Sequence, residues 1–237
     1  MQKKELLIVK NTITEGPGLL EEIMKEKKVE YFITELGKRE KIPPVENFGA
    51  VVILGGTMSA NDTDEIMESE LEFICKVISS KTPYLGICLG LQTLVKAAGG
   101  KVVESPIKEV GFLDPEGNNF TIDLTDKGKE DPLFENLNSP FKVFHLHGET
   151  VALTKDMILL ATGKFCNSQV VKIGSNAYGI QSHFELTPDM FEDWINVDPD
   201  LLKLDKEYLR SIFNEIKGEY TKTGKQLFNN FLKIAGY

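Results

Sequence analysis

The sequence Pro83-Tyr84-Leu85-Gly86-Ile87-Cys88-Leu89-Gly90-Leu91-Gln92 decides the fold of this chain. Its apolar first half predicts a short buried strand, and helical spacing follows directly over residues 91–98. A cysteine at the apex of such a strand–turn–helix is held in the way that a serine is held in a nucleophile elbow. The flanking glycines leave room for a strained backbone and a substrate, and the helix N-terminus favours a thiolate. Most free cysteines are buried small hydrophobes, but this arrangement favours a nucleophile at Cys88.

Length and composition narrow the class of protein. The 237 residues are enough for one sizeable domain, and 41% of them are hydrophobic. The 27 basic and 36 acidic residues give a net charge of −9, which disfavours nucleic acid and anionic membranes as partners. Three cysteines without regular spacing do not make a disulfide framework, and the apolar run near the N-terminus is too short for a signal peptide. We therefore expect a soluble cytoplasmic protein.

Up to Gly100, predicted strands and helices alternate along the chain. Apolar runs predict strands at residues 6–9, 31–33, 50–54 and 84–88, and helical spacing occurs at residues 19–27 and 64–79. Repeated β–α units of this length imply an α/β fold in which a parallel sheet is covered by helices on both faces.

After Gly100 the pattern changes to short extended pieces separated by turn clusters. These pieces are residues 101–103, 120–124, 142–144, 158–161, 169–173 and 177–181. They predict a mixed or antiparallel extension of the parallel core. Helical segments then follow at residues 188–195, 200–216 and 221–235. We expect a single domain over residues 1–237, with a catalytic α/β core (1–186) and a helical C-terminal appendage (187–237).

Polar residues follow three of the predicted strands, at the sheet edge where ligands bind in open α/β folds. Gly55-Gly56-Thr57 follows one strand, Cys88 another, and His183 comes shortly after residues 177–181. Because His183 and Glu185 are two positions apart, the carboxylate could fix the imidazole tautomer and favour an imidazolium beside a thiolate. Taken singly, His183 could be bonded to a carbonyl and Glu185 could begin a helix. Together with Cys88 they favour a catalytic triad.

Four blocks of sequence resemble the motifs of class I glutamine amidotransferases. Gly86-Ile-Cys-Leu-Gly-Leu-Gln92 matches their Gly-Ile-Cys-x-Gly-x-Gln nucleophile motif, and Ile53-Leu-Gly-Gly-Thr-Met-Ser59 resembles their oxyanion loop. Phe144-His-Leu-His-Gly-Glu-Thr150 resembles their His-Gly-Asp strand, and Gln181-Ser-His-Phe-Glu185 resembles their Gln-Phe-His-Pro-Glu. The blocks occur in family order. Within the family, the chain is most similar to free-standing, GMP-synthase-like amidotransferase domains.

This resemblance implies a flavodoxin-like three-layer sandwich with a mostly parallel central sheet. It also implies that the γ-amide of glutamine is hydrolysed through a γ-glutamyl thioester on Cys88, with His183 as general base and then acid and Glu185 as its orienting group. No cofactor is expected. The backbone N–H groups of Gly56 and Leu89 would form the oxyanion hole. The residues expected to contact the substrate are Gly55, Gln92 and His147.

Four residues depart from the family motifs. Leu146 replaces the Trp or Ser before the His-Gly pair, and Glu149 replaces the Asp after it. Ser182 and Phe184 replace the Phe and Pro beside the triad histidine. None of these changes removes a catalytic group, so we expect them to alter the substrate pocket more than the chemistry.

The sequence indicates the roles of the remaining histidines and cysteines less specifically. His145 and His147 are two apart on a predicted strand and could form a metal pair, but no third ligand is evident in the sequence. A structural or substrate-side role is favoured, and no metal is expected. Cys75 occupies an apolar position of the predicted helix and is expected in the core, whereas Cys166 is expected to be a loop thiol.

Several functional alternatives stay open at this level. The roughly 50 residues after Glu185 are too few for a synthetase domain, so ammonia would pass to a separate synthetase subunit or be released. The alternative enzyme is a γ-glutamyl peptidase acting on peptides or conjugates. A non-catalytic regulatory or glutamine-binding subunit is the alternative of another class. A PfpI-like cysteine hydrolase would place its histidine directly after the cysteine, where this chain has Leu89. The final helices could also form an oligomer face.

Overall fold

The computed structural model describes residues 4–237. Its strands are β1 (Leu6–Lys10), β2 (Tyr31–Glu35), β3 (Ala50–Ile53), β4 (Tyr84–Ile87), β5 (Lys101–Gly111), β6 (Thr121–Leu124), β7 (Phe141–Lys142), β8 (His145–Ala152), β9 (Met157–Gly163), β10 (Val170–Ile173) and β11 (Ala177–Ile180). Its α-helices are α1 (Gly18–Lys27), α2 (Glu65–Ser80), α3 (Leu89–Ala97), α4 (Asp126–Glu130), α5 (Pro188–Val197) and α6 (Lys206–Ile234). Among the helices of these residues, none is long and apolar enough to cross a membrane.

The central sheet is mixed, with a parallel half and an antiparallel half. Its strand order is β2-β1-β3-β4-β11-β10-β9-β6-β7. Strands from β2 to β11 pair in parallel, and those from β11 to β7 pair antiparallel. β5 and β8 form a separate antiparallel ribbon. The α/β class and the antiparallel extension predicted from the sequence are confirmed.

Helices cover both faces of the parallel half of the sheet. Successive residues of β1 point to opposite faces, and residues 6–9 are all apolar, so each face needs a layer of helices. Leu6 and Ile8 belong to the hydrophobic cluster that includes α1, α5 and α6. Leu7 and Val9 point to the opposite face and belong to the cluster that includes α2. A strand buried on both sides reads as a continuous apolar run, because each face meets its own layer of helices. The three layers place the C-terminal ends of β1, β3, β4 and β11 at one edge.

The C-terminal segment differs from the prediction. Residues 200–216 and 221–235 were predicted as separate helices, but α6 is one helix of 29 residues that runs through Gly218. Buried side chains continue at helical spacing across the glycine, from Phe213 and Ile216 to Tyr220. The helix cost of one glycine, about 1 kcal/mol, is smaller than the gain from burying this continuous stripe.

Cys75 is exposed, so its predicted place in the core is wrong. The buried stripe of α2 passes through Phe73, Ile74 and Val77. Position 75 falls beside this stripe, and the Cys75 sulfur lies 3.7 Å from the carbonyl oxygen of Ala97.

The turn between β4 and α3 requires glycine because backbones approach closely there. A Cβ atom at Gly86 would lie 2.1 Å from the carbonyl oxygen of Gly90. One at Gly90 would lie 2.3 Å from the carbonyl oxygen of Ile53 on the neighbouring strand. The two glycines therefore allow α3 to start directly against the ends of β3 and β4.

We predict that Gly86→Ala destabilises the fold by about 1–3 kcal/mol, since the new methyl group must displace backbone. Gly218→Ala is the matched control, because a Cβ at Gly218 meets no atom within 4 Å. That variant should gain about 0.5–1 kcal/mol of stability from helix propensity. Chemical denaturation followed by circular dichroism measures both. A Gly86→Ala protein as stable as the unmodified chain would contradict the close packing at the turn.

Candidate active site

Cys88 lies at the apex of the turn with a backbone that L-residues rarely adopt. Its φ is 51° and its ψ is −104°. The Cys88 N–H donates to the carbonyl oxygen of Ile180 at 2.7 Å, which ties the turn to the end of β11. The Cys88 sulfur lies 3.7 Å from Nε2 of Gln181 and 3.9 Å from the carbonyl oxygen of Leu146. The turn thus aims the sulfur into a cleft between the sheet edge and the β5–β8 ribbon.

His183 and Glu185 form a buried pair beside the sulfur. His183 Nδ1 lies 2.6 Å from Glu185 Oε1, and the second carboxylate oxygen accepts the N–H of Phe184 at 2.9 Å. The Cys88 sulfur is near enough to the His183 ring to raise the pKa of the imidazole. The structure therefore brings together the three residues that the sequence predicted as a triad.

Backbone contacts from other elements fix this pair. The His183 N–H donates to the carbonyl oxygen of Phe144 at 2.9 Å, and the Tyr220 hydroxyl of α6 donates to the His183 carbonyl at 2.8 Å. The Glu185 carbonyl accepts the N–H of Leu19, in the first turn of α1, at 2.8 Å. Helices from both ends of the chain thus hold the segment that carries the histidine.

The surroundings of His183 favour its protonated form. Burial alone would lower the pKa of this imidazole. The Glu185 carboxylate and the Cys88 sulfur outweigh that effect, and the pKa of His183 is raised well above its ordinary value. A carboxylate on one ring nitrogen and a sulfur near the ring are the arrangement that holds an imidazolium beside a thiolate.

Gly55 and Gly56 lie against the turn from the end of β3. A Cβ at Gly56 would lie 2.9 Å from Cδ2 of Leu89, and one at Gly55 would lie 3.3 Å from Cε1 of His183. Within residues 4–237, the N–H groups of Gly56 and Leu89 donate no hydrogen bond to protein atoms. Both are therefore available to an oxyanion, although this role stays a prediction.

The cleft has a volume of about 310 Å³. It is lined by Glu15, Gly56, Thr57, Met58, Cys88, Gln92, Lys108, Leu146, His147, Gly148, Glu149, Asp198, Pro199 and Asp200. Gln92, predicted to contact the substrate, lines the cleft while its Nε2 donates to the Glu149 carbonyl at 3.0 Å. Its position suits a contact to substrate backbone groups, which stays a prediction.

His147, the other predicted substrate contact, turns both ring nitrogens towards protein atoms. Nδ1 lies 3.1 Å from the Glu149 carbonyl, and Nε2 lies 2.9 Å from Glu109 Oε2. The ring therefore orients the Gly148–Glu149 backbone along the cleft. Glu149 itself accepts a hydrogen bond from the Ser59 hydroxyl of the oxyanion loop at 2.8 Å.

A buried polar cluster behind the cleft contains groups that could hold a metal ion. Ligand atoms of Glu109, His147 and Cys166 all lie within 4.8 Å of one another. Sequence reasoning found no third ligand beside the histidines, because Glu109 comes from β5 and Cys166 from the loop after β9. Cys166 is buried, its sulfur lies 3.0 Å from Thr150 Oγ1, and burial raises its pKa to about 11. Its expected place on a loop is correct, but the thiol is enclosed.

Glu15 is a cleft residue that sequence reasoning missed. It belongs to the loop between β1 and α1 and is 9% exposed. Burial, together with the charges of Glu185 and Asp198, raises its pKa to about 7 against the opposing effect of His183. The available signal was its place just after a buried parallel strand, at the edge where Gly55, Cys88 and His183 also lie.

Comparisons with known proteins show which family the chain is similar to. A family model described as "Glutamine amidotransferase class-I" matches residues 19–195. The chain is 30% identical over 197 residues to the glutamine amidotransferase-like protein YfeJ of Salmonella typhimurium, covering 80% of each chain. It is 29% identical to a γ-glutamyl-L-1-hydroxyisopropylamide hydrolase of a Pseudomonas species, over 61% of this chain and 49% of that enzyme.

Two further similarities bear on architecture. The chain is 32% identical to a GMP synthase of Thermosipho africanus over 72% of its own length, which is only 31% of that enzyme. A crystal structure of a glutamine amidotransferase from Thermotoga maritima superposes with a TM-score of 0.86 at 25% identity. That match covers 98% of this chain and 99% of the other. The flavodoxin-like architecture expected from the resemblance is thus supported over the full described length.

We predict that Glu185→Gln lowers the pKa of His183, because it removes the charge that favours the imidazolium. An NMR titration that follows the imidazole signals measures this pKa, because the chain has three histidines and therefore few signals to assign. Glu192→Gln is the matched control, because that carboxylate pairs with Arg210 at the surface. An unchanged His183 titration in the Glu185 variant would contradict the coupling.

Proposed function

Because this chain belongs to the class I glutamine amidotransferase family, we propose that it is a glutaminase-type hydrolase that releases ammonia from the γ-amide of glutamine. The observation that carries the proposal is the buried assembly of Cys88, which lines the cleft, with His183 and Glu185. A thiol on a sharp turn, an imidazole within reach and a carboxylate on the distal nitrogen are the requirements for nucleophilic acyl transfer.

Acylation begins with attack of the Cys88 sulfur on the γ-carbonyl carbon of glutamine. The thiol proton is held by His183, whose imidazolium is stabilised by Glu185. His183 then gives this proton to the amide nitrogen, the carbon–nitrogen bond breaks, and ammonia leaves a γ-glutamyl thioester on Cys88. In the second half, His183 takes a proton from water and the resulting hydroxide attacks the thioester. The carbon–sulfur bond then breaks, glutamate is released, and His183 returns the proton to the Cys88 sulfur.

The N–H groups of Gly56 and Leu89 would stabilise the oxyanion in both halves. One such donor contributes about 3–4 kcal/mol in comparable acyl-transfer sites. A Cβ at Gly56 would lie 2.9 Å from Cδ2 of Leu89, so the two residues are neighbours, as this pairing needs.

A γ-glutamyl hydrolase acting on larger amides is the second candidate. It is favoured by the similarity to the γ-glutamyl-L-1-hydroxyisopropylamide hydrolase and by a cleft that extends past Cys88 to residues 198–200. A non-catalytic binding subunit is disfavoured, because it would not need the buried His183–Glu185 pair beside the cysteine.

A separate synthetase could use the ammonia. The similarity to GMP synthase covers only 31% of that enzyme. A synthetase partner that receives the ammonia is part of the proposal.

We predict that Cys88→Ala lowers ammonia release from glutamine by at least about 1000-fold, since loss of a nucleophile removes the covalent route. Cys75→Ala is the control: its thiol is exposed and lies outside the residues that line the cleft. Coupled glutamate dehydrogenase assays measure the ammonia, and circular dichroism checks the fold. Undiminished glutaminase and γ-glutamyl hydrolase activity in Cys88→Ala would refute the assignment.

A further inference from the structure

Glu15 is a buried carboxylate that the hydrolytic mechanism does not use. Its side chain lines the cleft, yet the residue is only 9% exposed. Oε2 has no hydrogen-bond partner anywhere in residues 4–237. An enclosed carboxylate oxygen without a donor is costly unless a cation or donor binds it. Glu15 therefore places a carboxylate with one unpartnered oxygen in the wall of the cleft.

The position of Glu15 relative to His183 defines which part of a substrate it would meet. A Cβ at Gly55 would lie 2.1 Å from Glu15 Oε2 and 3.3 Å from His183 Cε1, so both atoms adjoin the same point of the oxyanion loop. In the imidazole ring, Cε1 lies between the two nitrogens. Nδ1 faces Glu185, so the remaining nitrogen, Nε2, is the one that can protonate the leaving amine. Glu15 thus lies next to the path of the departing nitrogen.

Asp198 adds a second negative charge to this end of the cleft. It lies directly after α5, and its Oδ1 accepts the N–H groups of Asp200 and Leu201 at 2.9 and 3.0 Å. Its charge acts on Glu15. Lys108, the one basic residue among those that line the cleft, pairs instead with Asp200. At the Glu15 end, two carboxylates therefore line the cleft, and within residues 4–237 neither forms a salt bridge with a lysine or arginine.

We propose that Glu15 and Asp198 form an anionic subsite that binds a cationic nitrogen on the leaving side of the scissile amide. The substrate class that fits is the γ-glutamyl amide of a short diamine, whose second amino group is protonated and lies a few carbons from the amide. This inference rests on the proposed hydrolase function and specifies its substrate. The reaction is unchanged: the carbon–nitrogen bond breaks, the glutamyl group is transferred to Cys88, and His183 protonates the departing amine.

An isosteric substrate pair tests the subsite in the unmodified protein. The mono-γ-glutamyl amide of 1,2-diaminoethane carries an ammonium group where the amide of n-propylamine carries a methyl group. We expect kcat/KM for the charged amide to exceed that for the neutral amide by about tenfold or more, as for a hydrogen bond to a charged group. Equal values, or a preference for the neutral amide, would overturn the subsite even though the hydrolase function would stand.

The isosteric variant Glu15→Gln distinguishes binding of the leaving group from positioning of His183. In this variant the ratio of kcat/KM for the charged amide to kcat/KM for the neutral amide should fall towards one. Hydrolysis of the common γ-glutamyl thioester, measured by rapid quench, should keep its rate because the amine has already departed. If Glu15 instead positions His183, both amides and both half-reactions would slow equally, which would refute the proposal.

Asp200→Asn serves as the matched control, because that carboxylate is at the cleft but is paired with Lys108 and Lys203. Its preference for the charged amide should stay within about twofold of the unmodified value. A protein that hydrolyses neither amide and no glutamine would refute the proposed function itself. The substrate ratio of the unmodified chain decides the subsite even if Glu15→Gln fails to fold.

Discussion

The positive φ of Cys88 is the constraint on which the rest of the site depends. A non-glycine residue at φ 51° is uncommon and carries strain that the surrounding structure must hold. Gly86 and Gly90 allow the surrounding structure to maintain this backbone conformation, because without side chains they let α3 begin against β3 and β4. The hydrogen bond from the Cys88 N–H to Ile180 then joins the turn to the strand that leads to His183. Sulfur and imidazole are thus positioned by adjacent strands of a rigid sheet.

Burial also determines which residues of the site are charged. Burial opposes ionisation of every group, so a charged group persists only where a partner compensates it. His183 has such partners in Glu185 and Cys88, whereas for Glu15 the effect of burial exceeds that of His183 and its pKa rises to about 7. This contrast separates Glu185, which we propose orients the catalytic base, from Glu15, which we propose binds a ligand. The C-terminal helices contribute to both, through Tyr220 on the His183 carbonyl and Asp198 beside Glu15.

Local patterns in the sequence predicted the parts that depend on near neighbours. The apolar runs of β1, β3 and β4, the turn at Cys88, and the shared location of His183 and Glu185 follow from periodicity and the edge rule for parallel sheets. The features that the sequence did not predict depend on long-range packing. The gap predicted between helices ending at 216 and starting at 221 is closed by the continuous apolar stripe of α6, and Cys75 lies just beside the buried face of its helix. Glu15 read as part of a turn, because its burial depends on residues more than 160 positions away, such as His183 and Asp198.

Labelling by a glutamine-mimicking electrophile tests the central claim most directly. The intact protein would be incubated with 6-diazo-5-oxo-norleucine and analysed by mass spectrometry with peptide mapping. The account predicts one adduct per chain, located on Cys88, even though Cys75 is the exposed thiol. Labelling only at Cys75 or Cys166 would contradict the assignment of Cys88 as a nucleophile that recognises the γ-glutamyl group.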